Sequence, residues 1–509
     1  MPIPSPCIRA ALVVVAACRP AGDDQDSSAP AHSTFSFPSV ETLPPLRGAG
    51  GPAVSFSEDE LFVNCAPLMG PEEDVFKHHN LVVPYRGHLV MPWVPEWGRG
   101  GLSFLDVSDP CAPTEAGWGY SETMRESHAL GFAMLPEGDP NAGEWMVATG
   151  VLGIEFWDVS EVEAPASVSY LQLPGVFYPD AYALVVLSVF WQYPHVYVAG
   201  ADNGVYIVDA TDPRDPVLVG QYTPEPGLRA GGVFAMGTLL MVSSAEQTES
   251  ILLDISDPAS PQPIPGGRYE SVDSEGIGKE AYHATMAGDW ALYARKEGGG
   301  GVMMMDISDP TRPVYAGDYR MEGGNGGYVY YDEGFAFVGE SHFATVYDVR
   351  DPTEITVVGT GDLPGDLDTV TPYGNVAILS VDEDAEDGVA SAVMPWSTEP
   401  DSTPPVVLRV VPADGATGVA LTARVGVGFS EMIEPTSAMA GSLRLFDAEG
   451  VAVEGWGSAQ EGIASYSPAS PLRPGTTYTL EVVEGGVRDV NGNTIAETFT
   501  STFTTAGGR

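Results

Sequence analysis

Short apolar runs broken by small polar turns fill most of the chain, and apolar positions at helical spacing are almost absent. The segment "GLSFLDVSDPCAP" (101–113) returns in altered form as "GVYIVDATDPRDP" from Gly204, "SILLDISDPASP" from Ser250 and "GVMMMDISDPTRP" from Gly301. An aspartate followed by a tight turn stands at Asp106, Asp158, Asp209, Asp254, Asp306 and Asp348, in steps of 52, 51, 45, 52 and 42 residues. Each copy predicts an apolar strand, a turn and a second strand. The Asp and Ser side chains accept hydrogen bonds from nearby backbone N–H groups, and the proline that follows cannot donate to a sheet. The second copy keeps only the first Asp and the closing Pro, "DVSEVEAP" (Asp158 to Pro165). The repeated aspartates therefore read as turn formers rather than calcium ligands.

Between turns lie two further strands, such as "HNLVVPYR" (79–86) and "HLVMPW" (88–93), or "YHATMAG" (282–288) and "WALYAR" (290–295). Four short strands per unit of 40 to 50 residues is the arithmetic of a β-propeller blade. Six units carry the aspartate turn. A seventh, Asp366 to Trp396, lacks it, and "AVSFSEDELFVNC" (Ala53 to Cys65) is expected to supply its missing outer strand and close the ring. The fold class is all-β: a seven-bladed propeller over 53–398, with six blades as the alternative, a linker over 399–406 and a second domain over 407–506. In that domain, alternating strands with Gly, Pro and Asn-Gly turns suit an immunoglobulin-like sandwich. "DVNGN" (Asp489 to Asn493) lacks the acidic ligands and closing Glu of an EF-hand loop and reads as a hairpin turn.

The words "GVYIVDATDPRDPVLVG" and "GVMMMDISDPTRPVYAG" resemble LVIVD repeats, a family of bacterial surface-protein repeats related to β-propellers. That resemblance spans about residues 75–365. It implies a fold and no catalytic motif. "ADGATGV", "FSEMI", "PGTTYTL" and "NGN" resemble a bacterial Ig-like (SbsA-type) domain of cell-surface proteins, which implies a spacer or adhesion module.

The first 18 residues, "MPIPSPCIRAALVVVAAC", place Arg9 before a short apolar run that ends in small residues, the pattern of an export signal. Its end, Val15-Ala16-Ala17-Cys18, resembles the bacterial lipobox, which implies lipidation of Cys18 and, with Arg19 following, outer-membrane delivery. Residues 19–52, rich in Pro, Gly and Ser, read as a flexible tether. No later apolar run is long enough for a membrane helix, so the lipid is the expected membrane contact. Of the four cysteines, Cys65 and Cys111 remain, and an oxidising compartment makes them a disulfide candidate.

Acidic residues outnumber basic ones 70 to 22, a formal charge of −48, which excludes nucleic acid as a natural partner. GxSxG, HExxH and P-loop motifs are absent from the sequence. Aligning the blades places His79, His128, Asp180, Arg229, Glu280, Gly326 and Asp366 at inner-strand starts, where a propeller channel opens, with His283 three residues into its strand. Polar residues are expected there in any case. His79, His128, Asp180 and Glu280 form the candidate set for a divalent metal, the one cofactor considered. These features point to an exported, lipid-anchored outer-membrane or cell-surface protein that binds a surface protein or polysaccharide. The alternative is a metal-dependent hydrolase or oxidase working at the channel mouth.

Overall fold

The computed structural model describes residues 35–42, 51–177, 184–296 and 298–508. Helix among them is limited to three short 3-10 turns, and no helix is long and apolar enough to cross a membrane. Seven four-stranded antiparallel units follow one another. The first runs Val83–Tyr85, His88–Pro92, Gly101–Asp106, Thr114–Tyr120. The first strands of the other six are Leu130–Leu135, Ser188–Gln192, Ala230–Met236, Ala281–Ala287, Val329–Asp332 and Leu367–Tyr373. From the second blade to the seventh, successive first strands touch, which makes them the inner wall of a ring. Apolar clusters bridge every junction: the first blade to the second, the second to the third, the third through the fifth, the fifth to the sixth, and the sixth and seventh back to the first. The ring is therefore closed by side-chain packing.

Burial along each blade follows from that packing. Third strands such as Val205–Asp209 are buried up to their terminal aspartate, because both faces meet neighbouring blades. Outer strands such as Val217–Tyr222 alternate between exposed and half-buried residues. All six repeated aspartates act as turn formers: each accepts, on one carboxylate oxygen, the N–H two residues on, from Ser108, Ser160, Thr211, Ser256, Ser308 and Arg350. Five of the six turns hold a second such bond, for example Asp309 from Thr311. A β-bulge lies just before the aspartate in these blades, as between Ile207 and Val208 or Met304 and Met305.

The turn also packs between blades. A Cβ added at Gly317, in the fifth blade's outer strand, would overlap the Pro352 carbonyl of the sixth blade's turn. One at Gly220 would crowd the Ala259 carbonyl of the fourth blade's turn. The glycine of "LVGQY" and "YAGDY" is thus the notch into which the next blade's Asp-Pro turn fits. At Gly359, in the sixth blade, the notch takes the ring of Phe62 instead, because the seventh blade has no such turn.

That blade is completed by the N-terminal segment. Its strands Leu367–Tyr373, Val376–Val381 and Ser391–Pro395 pair in order, and its fourth strand is Ala66–Pro67. The expected closing strand, 53–65, is corrected. Residues 58–62 form a turn, because Ser57 and Glu60 bond to each other, and pairing falls at Phe62, Cys65 and Leu68, whose N–H groups donate to Pro395, Val393 and Ser391. Cys65 is joined by a disulfide to Cys111, in the first blade's Asp-Pro turn. A covalent bond thus sits at the seam between last and first blades, where the glycine notch is missing.

The C-terminal sandwich packs one sheet of strands Val407–Val411, Val425–Phe429, Ile463–Pro468 and Gly455–Gln460 on another of Ala416–Val419, Phe499–Thr505, Thr477–Val482 and Leu443–Phe446. It does not hang as a free spacer: Ala459 pairs with Phe132 of the second blade, so its first sheet and that blade form one eight-stranded sheet. The linker and the described part of the tether also make contacts with the sandwich. In the linker, Asp401 accepts from Asn493. In the tether, Phe37 packs edge-on against Phe446 and Tyr466, since an aromatic ring in a Pro/Ser segment gains by burial wherever a groove receives it. The signal segment and Cys18 lie outside the described residues.

Two variants test this closure. Gly317→Ala should destabilise the ring by about 1–3 kcal/mol, as overpacking does, visible as a lower urea midpoint. Paired Cys65→Ser and Cys111→Ser, which open a 46-residue separation, should cost about 4 kcal/mol by chain entropy and speed proteolysis of residues 53–67. An unchanged midpoint in both would reject the seam as described.

Candidate functional site at the open mouth of the ring

The sandwich covers the mouth at which the inner strands end. There Arg86 N donates to Glu434 Oε2 at 2.6 Å, Glu333 N to the Ser430 carbonyl at 2.8 Å, and Met432 N to Asp332 Oδ1 at 3.0 Å. Gln460 is inserted further: its Nε2 donates to the Val189 carbonyl and its Oε1 accepts from Trp191 N. The next residue, Glu461, enters the channel, where Thr285 Oγ1 donates to its Oε2 at 2.8 Å. The channel is nearly filled: a void of about 30 Å³ remains beside His128, Phe234, His283, Tyr330 and Glu461. His283 packs on Tyr328 and Tyr330, with ring centroids 4.7 and 6.2 Å away. Burial pushes Glu461 up to about 7 against the Thr285 hydrogen bond and His283 down to about 3 against the Val329 N–H, so both are uncharged between those values.

The other mouth, where inner strands begin, carries the charge. His78 Nε2 lies 3.0 Å from Glu126 Oε1 and 2.8 Å from Asp382 Oδ1. Asn80 Nδ2 donates to the same Glu126 oxygen at 3.1 Å, and His128 Nε2 stands 3.5 Å from Glu126 Oε2. Burial disfavours the His78 imidazolium, but the carboxylates of Asp382 and Glu126 outweigh it and hold the ring up to about 10. Burial raises Glu126 well above the usual carboxylate range, while His78 keeps Asp382 low against its own burial. Burial drops His128 to about 4. Nearby, burial and then Asp382 raise Asp368. The opposite rim is an ion-pair chain: Arg229 Nε to Asp202 at 3.2 Å, Arg229 Nη1 to Glu246 at 3.9 Å, and Lys296 Nζ to Glu246 at 2.9 Å. Beside the cluster, Phe76 and Trp97 meet edge-on with centroids 4.7 Å apart and stay 44% and 62% exposed.

The candidate metal set read from blade alignment does not assemble. His79 turns away from the mouth, bonding Asp74 Oδ2 and Ser391 Oγ at 2.9 Å each. Adjacent residues of an extended chain face opposite ways, so it is His78 that faces the cluster. His128 does reach it. Arg229 belongs to the far rim, and Glu280 meets it through its carbonyl, which accepts from Lys296 N. Asp366 is exposed, and its carbonyl accepts from Asp382 N. Gly326 is spent on backbone contact with Arg295. Asp180 lies outside the described residues. The alignment missed Glu126 and Asp382, which sit in connections between strands. The words "HHN" (78–80) and "ESH" (126–128) were the available signal.

A second carboxylate cluster, Asp401, Glu431 and Asp489, lies where the sandwich meets the sixth blade. Asp489 Oδ1 accepts the N–H groups of Asn491, Gly492 and Asn493, the hairpin turn expected of "DVNGN". Burial, then Asp332 and Asp489, raises Glu431 to about 11.

Residues 194–224 and 288–321 match the LVIVD repeat, and residues 401–505 match a bacterial Ig-like domain. The chain is thus an all-β protein that joins LVIVD repeats in a propeller to a C-terminal bacterial Ig-like domain. No curated protein matches it. Similar solved structures include a Lactobacillus plantarum protein, at 13% identity over 59% of this chain and 92% of that one, TM-score 0.44. BamB from Moraxella catarrhalis is 12% identical over 65% and 97%, TM-score 0.39. The Neurospora crassa Pan2 WD40 domain is 10% identical over 69% and 98%, TM-score 0.48.

Glu461 gives a pH test of the sealed mouth. Its folded value, raised from 4.5 to about 7, means that between those values the fold holds a proton the unfolded chain has released. Stability from this group is present below 4.5 and is lost as pH rises through 7. Wild type should therefore lose more melting temperature than Glu461→Gln between pH 5 and pH 8. Parallel profiles would place the carboxyl in water.

Proposed function

We propose that the protein is an exported, lipid-anchored binding protein of the bacterial outer membrane or cell surface, and that the open mouth of its propeller is the recognition face. The observation that carries this reading is the asymmetry of the ring. The sandwich occupies one mouth, so loops from all blades converge freely only at the other. The half-exposed Phe76 and Trp97 beside a cluster of carboxylates and imidazoles favour an envelope polysaccharide over a protein surface. Sugar C–H faces carry partial positive charge and pack on the negative faces of aromatic rings, while carboxylates accept from hydroxyls. The 30 Å³ channel void weighs against a substrate held inside the ring, so the alternative of a metal-dependent hydrolase or oxidase would have to work at the same open mouth.

Purified wild-type protein should be retained by isolated outer-membrane polysaccharide or peptidoglycan. Trp97→Ala and Phe76→Ala should weaken retention by about tenfold each, near 1.4 kcal/mol. A Val217→Ser control on the exposed third-blade outer strand should bind as wild type does. Retention by neither polymer, or equal retention of all variants, sinks the reading.

A further inference from the structure

We propose that His78, Glu126 and Asp382 hold a divalent transition-metal ion of the Zn²⁺ or Mn²⁺ class at the open mouth, with the Asn80 amide oxygen and the His128 imidazole as further donors. The inference rests on the open mouth being the working face, and it replaces the set that blade alignment suggested.

The first argument is a mismatch of donors and acceptors. His78 Nε2 carries at most one hydrogen, yet two carboxylate oxygens stand against it, Glu126 Oε1 at 3.0 Å and Asp382 Oδ1 at 2.8 Å. One hydrogen is directed at one acceptor. Asp382 Oδ1 is buried and receives no directed hydrogen bond. A cation among the three atoms satisfies all of them.

Spacing agrees. Donors about 2.0–2.1 Å from a tetrahedral ion lie about 3.3 Å from one another. The three donor atoms here all lie within 4.8 Å, with the two closest approaches only slightly shorter than that ideal. A small opening admits the ion without moving a strand.

Asn80 supplies an independent pointer. Its side chain is buried, at 3% exposure, and its Oδ1 finds no partner while its Nδ2 faces Glu126. Oxygen and nitrogen of an amide exchange places by a half-turn of the terminal bond. A bound ion favours the turned form, which brings the orphaned oxygen into the cluster. His128 Nε2, 3.5 Å from Glu126 Oε2, is placed to complete the shell. Imidazole nitrogens mixed with carboxylate and amide oxygens suit Zn²⁺ or Mn²⁺ better than an all-oxygen site for Ca²⁺. The donors come from the segment before the first blade, the connection between the first and second, and the seventh blade, so the ion would tie the closing seam from inside.

Full-length protein stripped with EDTA and then dialysed free of it should bind one equivalent of Zn²⁺ or Mn²⁺ by calorimetry, with elemental analysis confirming stoichiometry. Asp382→Asn, which keeps shape, and His78→Ala should each weaken binding by about 100-fold or more, beyond the loss of an outer partner. Asp401→Asn, in the other carboxylate cluster, should bind as wild type does. No stoichiometric ion in folded wild type, or full affinity in Asp382→Asn, overturns the site. The same samples tested on polysaccharide separate the two readings. Metal bound without polysaccharide retention leaves the ion site standing and removes the recognition face, and retention without metal does the reverse.

Discussion

Each blade has two apolar faces and only its neighbours to cover them. That constraint sets the rest of the architecture. A lone four-stranded sheet of this kind would leave Phe104, Trp157, Ile207, Leu252, Met304 and Tyr347 in water, and all six are buried here. Repetition solves the problem only if the series returns on itself, because an open array leaves two uncovered ends. The aspartate turn sets the spacing between neighbours: it ends the third strand, bulges the ladder, and fits the glycine of the preceding outer strand. Where the last blade lacks the turn, Phe62 and the Cys65–Cys111 bond stand in for it.

The parts of the fold that depend on local chemistry were legible in the sequence. Period, turn residues and alternating burial are written within a few residues of each other, so the repeating strands and the Asp turns are readable from the text, while the closing strand, which joins distant parts of the chain, falls at Ala66–Pro67 instead of 53–65. The glycine notch was visible as a letter in "LVGQY" and "YAGDY", but its purpose requires the neighbouring blade. The site was less legible. A one-residue offset exchanges the two sides of an extended chain, so the doublet at 78 and 79 divides its roles and alignment chose the wrong member. Glu126 and Asp382 lie in connections whose path is set by packing between distant blades, which no local pattern encodes.

The docking of the sandwich was equally invisible, for a related reason. Apolar residues of the sandwich cross the joint, Ile463, Met432 and Val490 joining propeller clusters and Trp456 packing on Tyr193, but they are scattered singly in the sequence. Beside them the joint is held by polar groups: Gln460 with the backbone of Val189 and Trp191, Glu434 with Arg86 N, Ser430 with Glu333. Such bonds leave no apolar signature in the text. They do rank the two mouths, since a buried carboxyl at 461 fills one and the ionised groups gather at the other.

Phe37 packs within the sandwich's own core, against Phe446 and Tyr466. A C-terminal domain cut out at residue 401 would therefore leave those two rings with an uncovered edge, so its boundary in packing lies well outside its boundary in sequence.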